Sequence, residues 1–128
     1  MNSVVLLLEY EPVIRDLVAK VLTDSGCHVV VCDSFEHLMC VADDWKGAVA
    51  VADFWGGSKP TLDEEERAEV RQLTQAVPTI LLAGGAWAGE KGSGQLGLVA
   101  LLRKPFDLTA LCVIATQALR EGMRDGTT

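Results

Sequence analysis

The chain has 128 residues, 49% of them hydrophobic and 23% charged. That suits one domain with a buried core and excludes disorder driven by composition. Lys and Arg total 11 against 18 Asp and Glu, a net charge of −7, so phosphate backbones and anionic lipid both repel the chain, and neither nucleic acid nor a membrane is an expected partner. No apolar run approaches the ~18 residues of a membrane span. The start, Met1 to Leu8, lacks a basic n-region and is interrupted by Glu9 and Glu11; it reads as a buried strand rather than a signal peptide, which points to the cytoplasm. Cys27, Cys32, Cys40 and Cys112 show no C-x-x-C spacing, so reduced thiols are expected in place of zinc or redox chemistry.

Val4 to Leu8 is a continuous apolar run, the pattern of a strand covered on both faces. Pro12 suits the first turn of a helix whose apolar positions are Val13, Ile14, Leu17, Val18, Val21 and Leu22, with Gly26 as its stop. Val29 to Val31 is a second strand, and Ser34 caps a helix carrying Phe35, Leu38 and Met39. Ala48 to Ala52 is a third strand ending at Asp53, and Gly56 to Pro60 is a loop. Thr61 and Glu64 have the spacing of a capping box for an acidic helix that Pro78 ends. Thr79 to Ala83 is a fourth strand. Six glycines between Gly84 and Gly97 oppose a helix there, at about 1 kcal/mol each. Leu98 to Leu102 is a fifth strand, Arg103 to Phe106 a turn, and Asp107 caps a last amphipathic helix before a polar, frayed tail from Gly122.

Five apolar strands alternating with helices imply a parallel sheet with helices on both faces. Ligand sites in such sheets lie beyond the carboxyl ends of the strands. There the topology brings together Glu9, Asp53 and Lys104 from distant parts of the chain. A carboxylate at the end of a buried strand is costly unless solvated, paired or metal-bound. A structural ion pair and a working site are both compatible with that grouping.

The run Leu7-Leu8-Glu9-Tyr10-Glu11-Pro12-Val13-Ile14-Arg15, the strand end Val51-Ala52-Asp53, the strand Pro78 to Leu82, and the turn Lys104-Pro105-Phe106 resemble response-regulator receiver domains. The resemblance covers about residues 3 to 121 of what reads as a single domain, 1–128. It implies a flavodoxin-like α/β fold with sheet order 2-1-3-4-5 and a cis Lys104-Pro105 bond; the glycines of 84–97 make the fourth helix of that fold short or irregular here. It also implies phosphotransfer signalling rather than an enzyme. A histidine kinase or phosphotransfer protein would phosphorylate Asp53, and Lys104 would contact the phosphoryl oxygens beside the acidic neighbour Glu9. Magnesium would join Asp53, the acid pair that begins at Glu9 and the backbone carbonyl of Trp55. These residues leave no room for an output domain, so output is expected through a downstream protein partner or an effector domain outside this sequence.

Three positions depart from the family pattern. The second acid of the pair is Tyr10, a phenol that is neutral near pH 7 and a poor magnesium ligand. Losing a unit charge at ~4 Å forfeits up to about 4 kcal/mol at an effective dielectric of 20. Glu11 is negative but is expected to point differently and not to compensate. Ala83 stands where the family has a Ser or Thr, and Leu101 where it has an aromatic. The expectation is therefore an atypical receiver with a weak or absent magnesium site, in which Asp53 and Lys104 simply pair. The alternatives are a phosphorylation-independent pseudo-receiver acting by binding alone, and a small flavodoxin-like binder of a cofactor or nucleotide. No phosphate-binding glycine motif supports the last, and an aspartyl phosphatase would want an acid at Trp55.

Trp55 is placed either to cover Asp53 or as a loop aromatic, and Trp87 either to anchor the Gly-rich loop or to mark a partner site. Trp45 is read as core or rim packing. His28 and His37 lie away from the expected rim and are not read as phospho-accepting histidines.

Overall fold

A computed structural model describes residues 3–53, 63–83 and 97–126, with side chains to residue 121. Five strands form one parallel sheet: β1 (Val4–Glu9), β2 (His28–Cys32), β3 (Val49–Asp53), β4 (Thr79–Ala83) and β5 (Ala100–Arg103), in the order β2-β1-β3-β4-β5. The described helices are α1 (Pro12–Asp24), α2 (Phe35–Asp44), α3 (Glu64–Ala76) and α4 (Leu108–Gly126). This is the doubly wound, flavodoxin-like order expected from the sequence.

Two cores flank the sheet because successive strand residues face opposite sides. On one side Leu6, Leu8, Ala50, Ala52 and Leu81 pack with Leu38 of α2 and Leu73 of α3. On the other, Val5, Leu7, Val51, Ile80 and Leu82 pack with Val18 of α1 and Leu111 of α4. All six residues of β1 are buried, which explains why its sequence is continuous apolar rather than alternating.

The helix ends follow local chemistry. Gly26 takes φ +96° after α1, where a side chain would be strained. The Ser34 hydroxyl accepts the His37 N–H at 3.0 Å, and Asp107 accepts the Thr109 N–H at 2.8 Å. At α3 the capping box is Asp63 with Glu66, two residues later than the Thr61–Glu64 pair expected. The same spacing recurs there, and Asp63 accepts the Glu66 N–H at 2.8 Å while Glu66 returns a bond to the Asp63 N–H at 3.0 Å. Thr61 lies outside the described residues. β5 begins at Ala100 rather than Leu98, because Gly97 turns the chain at φ +76° first. α4 continues to Gly126, beyond the point where the sequence suggests fraying. The Gly-rich stretch in which a short or irregular fourth helix is expected, Trp55 and Trp87 also lie outside the described residues.

Among the described residues no helix is long and apolar enough to cross a membrane. All four cysteines are free. Burial pushes the Cys32 thiol up to about 11, which makes it a weak nucleophile. Trp45 packs against the α2–α3 core, with its ring tilted 50° and 5.9 Å from that of His28. His28 begins β2, at the end of the sheet opposite Asp53. His37 sits against Asp33 at 3.2 Å.

Candidate functional site

The carboxyl ends of β1, β3 and β5 bring Glu9, Asp53 and Lys104 to one point. Glu9 and Asp53 are register partners on neighbouring strands. Lys104 follows β5 directly, and its N–H donates to the Ala83 carbonyl at 2.8 Å, which seats it beside the end of β4. The following Lys104-Pro105 bond is cis.

One ammonium serves three carboxylates. Lys104 Nζ forms a direct ion pair with Asp53 Oδ2 and lies 3.0 Å from Glu9 Oε2 and 3.7 Å from Glu11 Oε1. The Glu9 side chain is only 1% exposed, those of Lys104 and Asp53 14% and 15%, and that of Glu11 66%. Glu9 Oε1 accepts the Glu11 N–H at 3.1 Å. Glu9 Oε2 accepts no well-directed hydrogen bond, so the Lys104 charge is what compensates its burial.

The electrostatics favour the cation over the acids. Burial pushes the Asp53 carboxyl up; Lys104 pulls it back, Glu9 and Glu11 push it further, and the net direction is up. Burial pulls the Lys104 ammonium down, but Asp53 and Glu9 outweigh it, and its net direction is also up. The leading causes differ: burial for Asp53, and for Lys104 the hydrogen bonds and charges of Asp53 and Glu9.

Glu11 stands at the edge of the cluster, its Oε1 3.7 Å from Lys104 Nζ and two thirds of its side chain in water. The cause is local: Glu11 is the residue before α1, and its N–H folds back onto Glu9, so the turn carries its side chain over the rim. The available signal was Pro12, which sets the helix start and hence this turn. Tyr10 is 56% exposed. Ala83 is buried and has no hydroxyl to offer, and Leu101 packs partly buried against the α2–α3 core.

The donor set does not fit the magnesium site that the resemblance implies. Magnesium takes oxygen ligands in near-octahedral array and keeps its water reluctantly exchanged. The carboxylates of Glu9 and Asp53 are already engaged by Lys104, and the second acid is replaced by an exposed phenol. Among the described residues no group of three or more His, Cys, Asp or Glu side chains is arranged to hold a metal ion. The Trp55 carbonyl lies outside the described residues.

Beside the cluster, a cleft of about 230 Å³ between α1 and the turn after β5 is lined by Ile14, Leu17, Val18, Pro105, Phe106 and Leu108, and it shares Lys104 with the site. Val13 and Leu17 of α1 are exposed on the same helix, 74% and 47%.

No protein-family model matches the chain, and no curated protein matches it in sequence. Solved structures match it in fold. FixJ-N is 22% identical over 94% of this chain and 95% of its own, with a TM-score of 0.69. A CheY-like response-regulator receiver protein from Methanospirillum hungatei is 20% identical over 97% and 99%, at 0.71. NtrX from Brucella abortus is 20% identical over 99% of this chain at 0.73, and the match spans 28% of that longer protein. The fold is therefore that of response-regulator receiver domains.

Proposed function

We propose that this chain is a receiver module of two-component or phosphorelay signalling, with Asp53 as phospho-acceptor and output through contact with another protein. The observation that carries this reading is the meeting of Asp53, Glu9 and Lys104 at the carboxyl end of a sheet with the receiver fold. The donor would be a phosphohistidine on a histidine kinase or phosphotransfer protein. An Asp53 oxygen attacks phosphorus, the phosphorus–nitrogen bond breaks, and the imidazole nitrogen keeps the electron pair and takes a proton from water. The Lys104 charge then balances the phosphoryl oxygens, the main work any such transfer asks of a protein. The exposed Val13 and Leu17 and the cleft beside Phe106 supply apolar surface next to the acceptor for a protein partner. Ala83 has no hydroxyl to follow a phosphate and Leu101 is not an aromatic, so any switching would run through other contacts.

A second reading is a pseudo-receiver that acts by binding alone, with Asp53 and Lys104 as a structural pair. The exposed Tyr10 in place of an acid favours it. Intact mass after incubation with a small phosphodonor and magnesium, beside Asp53→Asn, separates the two. One phosphoryl adduct on the wild type alone supports the phospho-receiver. No adduct, with a competent control receiver labelled in the same tube, leaves the pseudo-receiver.

A further inference from the structure

We infer that Lys104 is the resident cation of this site, that its carboxylates bind divalent metal weakly for that reason, and that Tyr10 is the position that decides it. The inference deepens the proposed function, since it concerns the same residues, but it does not depend on their phosphorylation.

Charge matching is the first argument. Among the described residues the buried part of the cluster contains Glu9, Asp53 and Lys104, a surplus of one negative charge. A divalent ion entering there would overshoot it. An acid at position 10, between Glu9 and Glu11 in the chain, would add negative charge at the same rim and bring the surplus closer to the charge of the ion. Glu11, 3.7 Å from Lys104 Nζ, supplies part of the difference, weakened because two thirds of its side chain faces water, which screens it.

Geometry is the second argument. Glu9 is held at both oxygens: Oε1 takes the Glu11 N–H at 3.1 Å, and Oε2 faces Lys104 Nζ at 3.0 Å. Its side chain is almost without contact with solvent, so a hydrated ion reaches Oε2 only by displacing the ammonium and shedding water together. Lys104 is itself fixed from both sides, by its backbone bond to Ala83 and by the carboxylates around Nζ. Tyr10 directs a large part of its surface to solvent, so the side chain can be exchanged without opening the core.

The test is Mn²⁺ binding to the full chain, read from the electron paramagnetic resonance of the free ion, with Mg²⁺ as competitor. Tyr10→Asp is expected to tighten Mn²⁺ binding at least about tenfold over the wild type, since ligand charge count moves such affinities by decades. Lys104→Met is expected to tighten it as well, and adding Asp53→Asn to Tyr10→Asp is expected to abolish the gain. Thermal melts check that each variant is folded; Tyr10→Asp carries the test if Lys104→Met is not. An unchanged affinity in Tyr10→Asp overturns the inference, as does a gain that survives Asp53→Asn. The proposed function fails separately: a tenfold gain without any phosphoryl adduct keeps this inference and removes that reading, and an adduct with flat affinity does the reverse.

Discussion

β1 and β3 each change character within a single residue. Val4 to Leu8 and Val49 to Ala52 are apolar and buried, and the next residues are Glu9 and Asp53. The apolar body gains from every residue it hides, at roughly 25 cal/mol per Å² removed from water. The rim instead hides carboxylates, which costs free energy that Lys104 and, at Glu9, one backbone N–H offset among the described residues. The same two strands thus hold the most stabilising and the most liable parts of the sheet, one residue apart. A scaffold of the first kind is what allows a constellation of the second kind to persist.

The comparison breaks if the body is not the stronger half. Leu7→Ala, in the middle of β1 between Val31 and Val51, is expected to cost about 3–5 kcal/mol in denaturant unfolding, from lost transfer energy and the cavity left. Its circular-dichroism spectrum should keep the native shape at low denaturant. Lys104→Met comes next, at about 3 kcal/mol. That is the low end for breaking a buried pair, because the ammonium retains 14% exposure and the rim can admit water. A loss below about 0.5 kcal/mol, the level of a surface pair, would show that Glu9 finds another partner.

The smallest expected effect has the opposite sign and sharpens the contrast most. The Asp53 carboxyl lies above its usual value, chiefly through burial. A carboxyl raised in the folded state contributes stability that is fully present below its unfolded value and is lost as pH rises through the raised one. Asp53→Asn should therefore melt above the wild type at pH 7, and the two curves should converge as pH falls toward 3.8, the ordinary value for the group. A variant that melts below the wild type at pH 7 would move Asp53 from the liable half of the comparison to the stabilising one.

The five strands were legible because each is a continuous apolar run bounded by turn chemistry, and the parallel order followed from their alternation with helices. Glu9, Asp53 and Lys104 were legible as a group because the ends of parallel strands must share one edge. Glu11 was not, since its position depends on a single N–H bond to Glu9 in a two-residue turn. The cap of α3 was legible in kind but not in place: Thr61–Glu64 and Asp63–Glu66 carry the same spacing, and the helix starts on the second pair. The start of β5 shifted because Gly97 turns the chain before pairing begins, while Val99 N–H already bonds the Thr79 carbonyl.

The Glu9–Lys104 contact joins residues from opposite ends of the chain. During synthesis, the first three strands can leave the ribosome before Lys104 has been added. Until then Glu9 and Asp53 lack their counter-charge, and closing such a distant contact comes late for reasons of chain entropy. The two acids therefore gain their counter-charge only once β5 is in place. A truncated or half-folded copy would hold two unmatched acids at its edge, and would display the surface of the finished site only when the last strand docks.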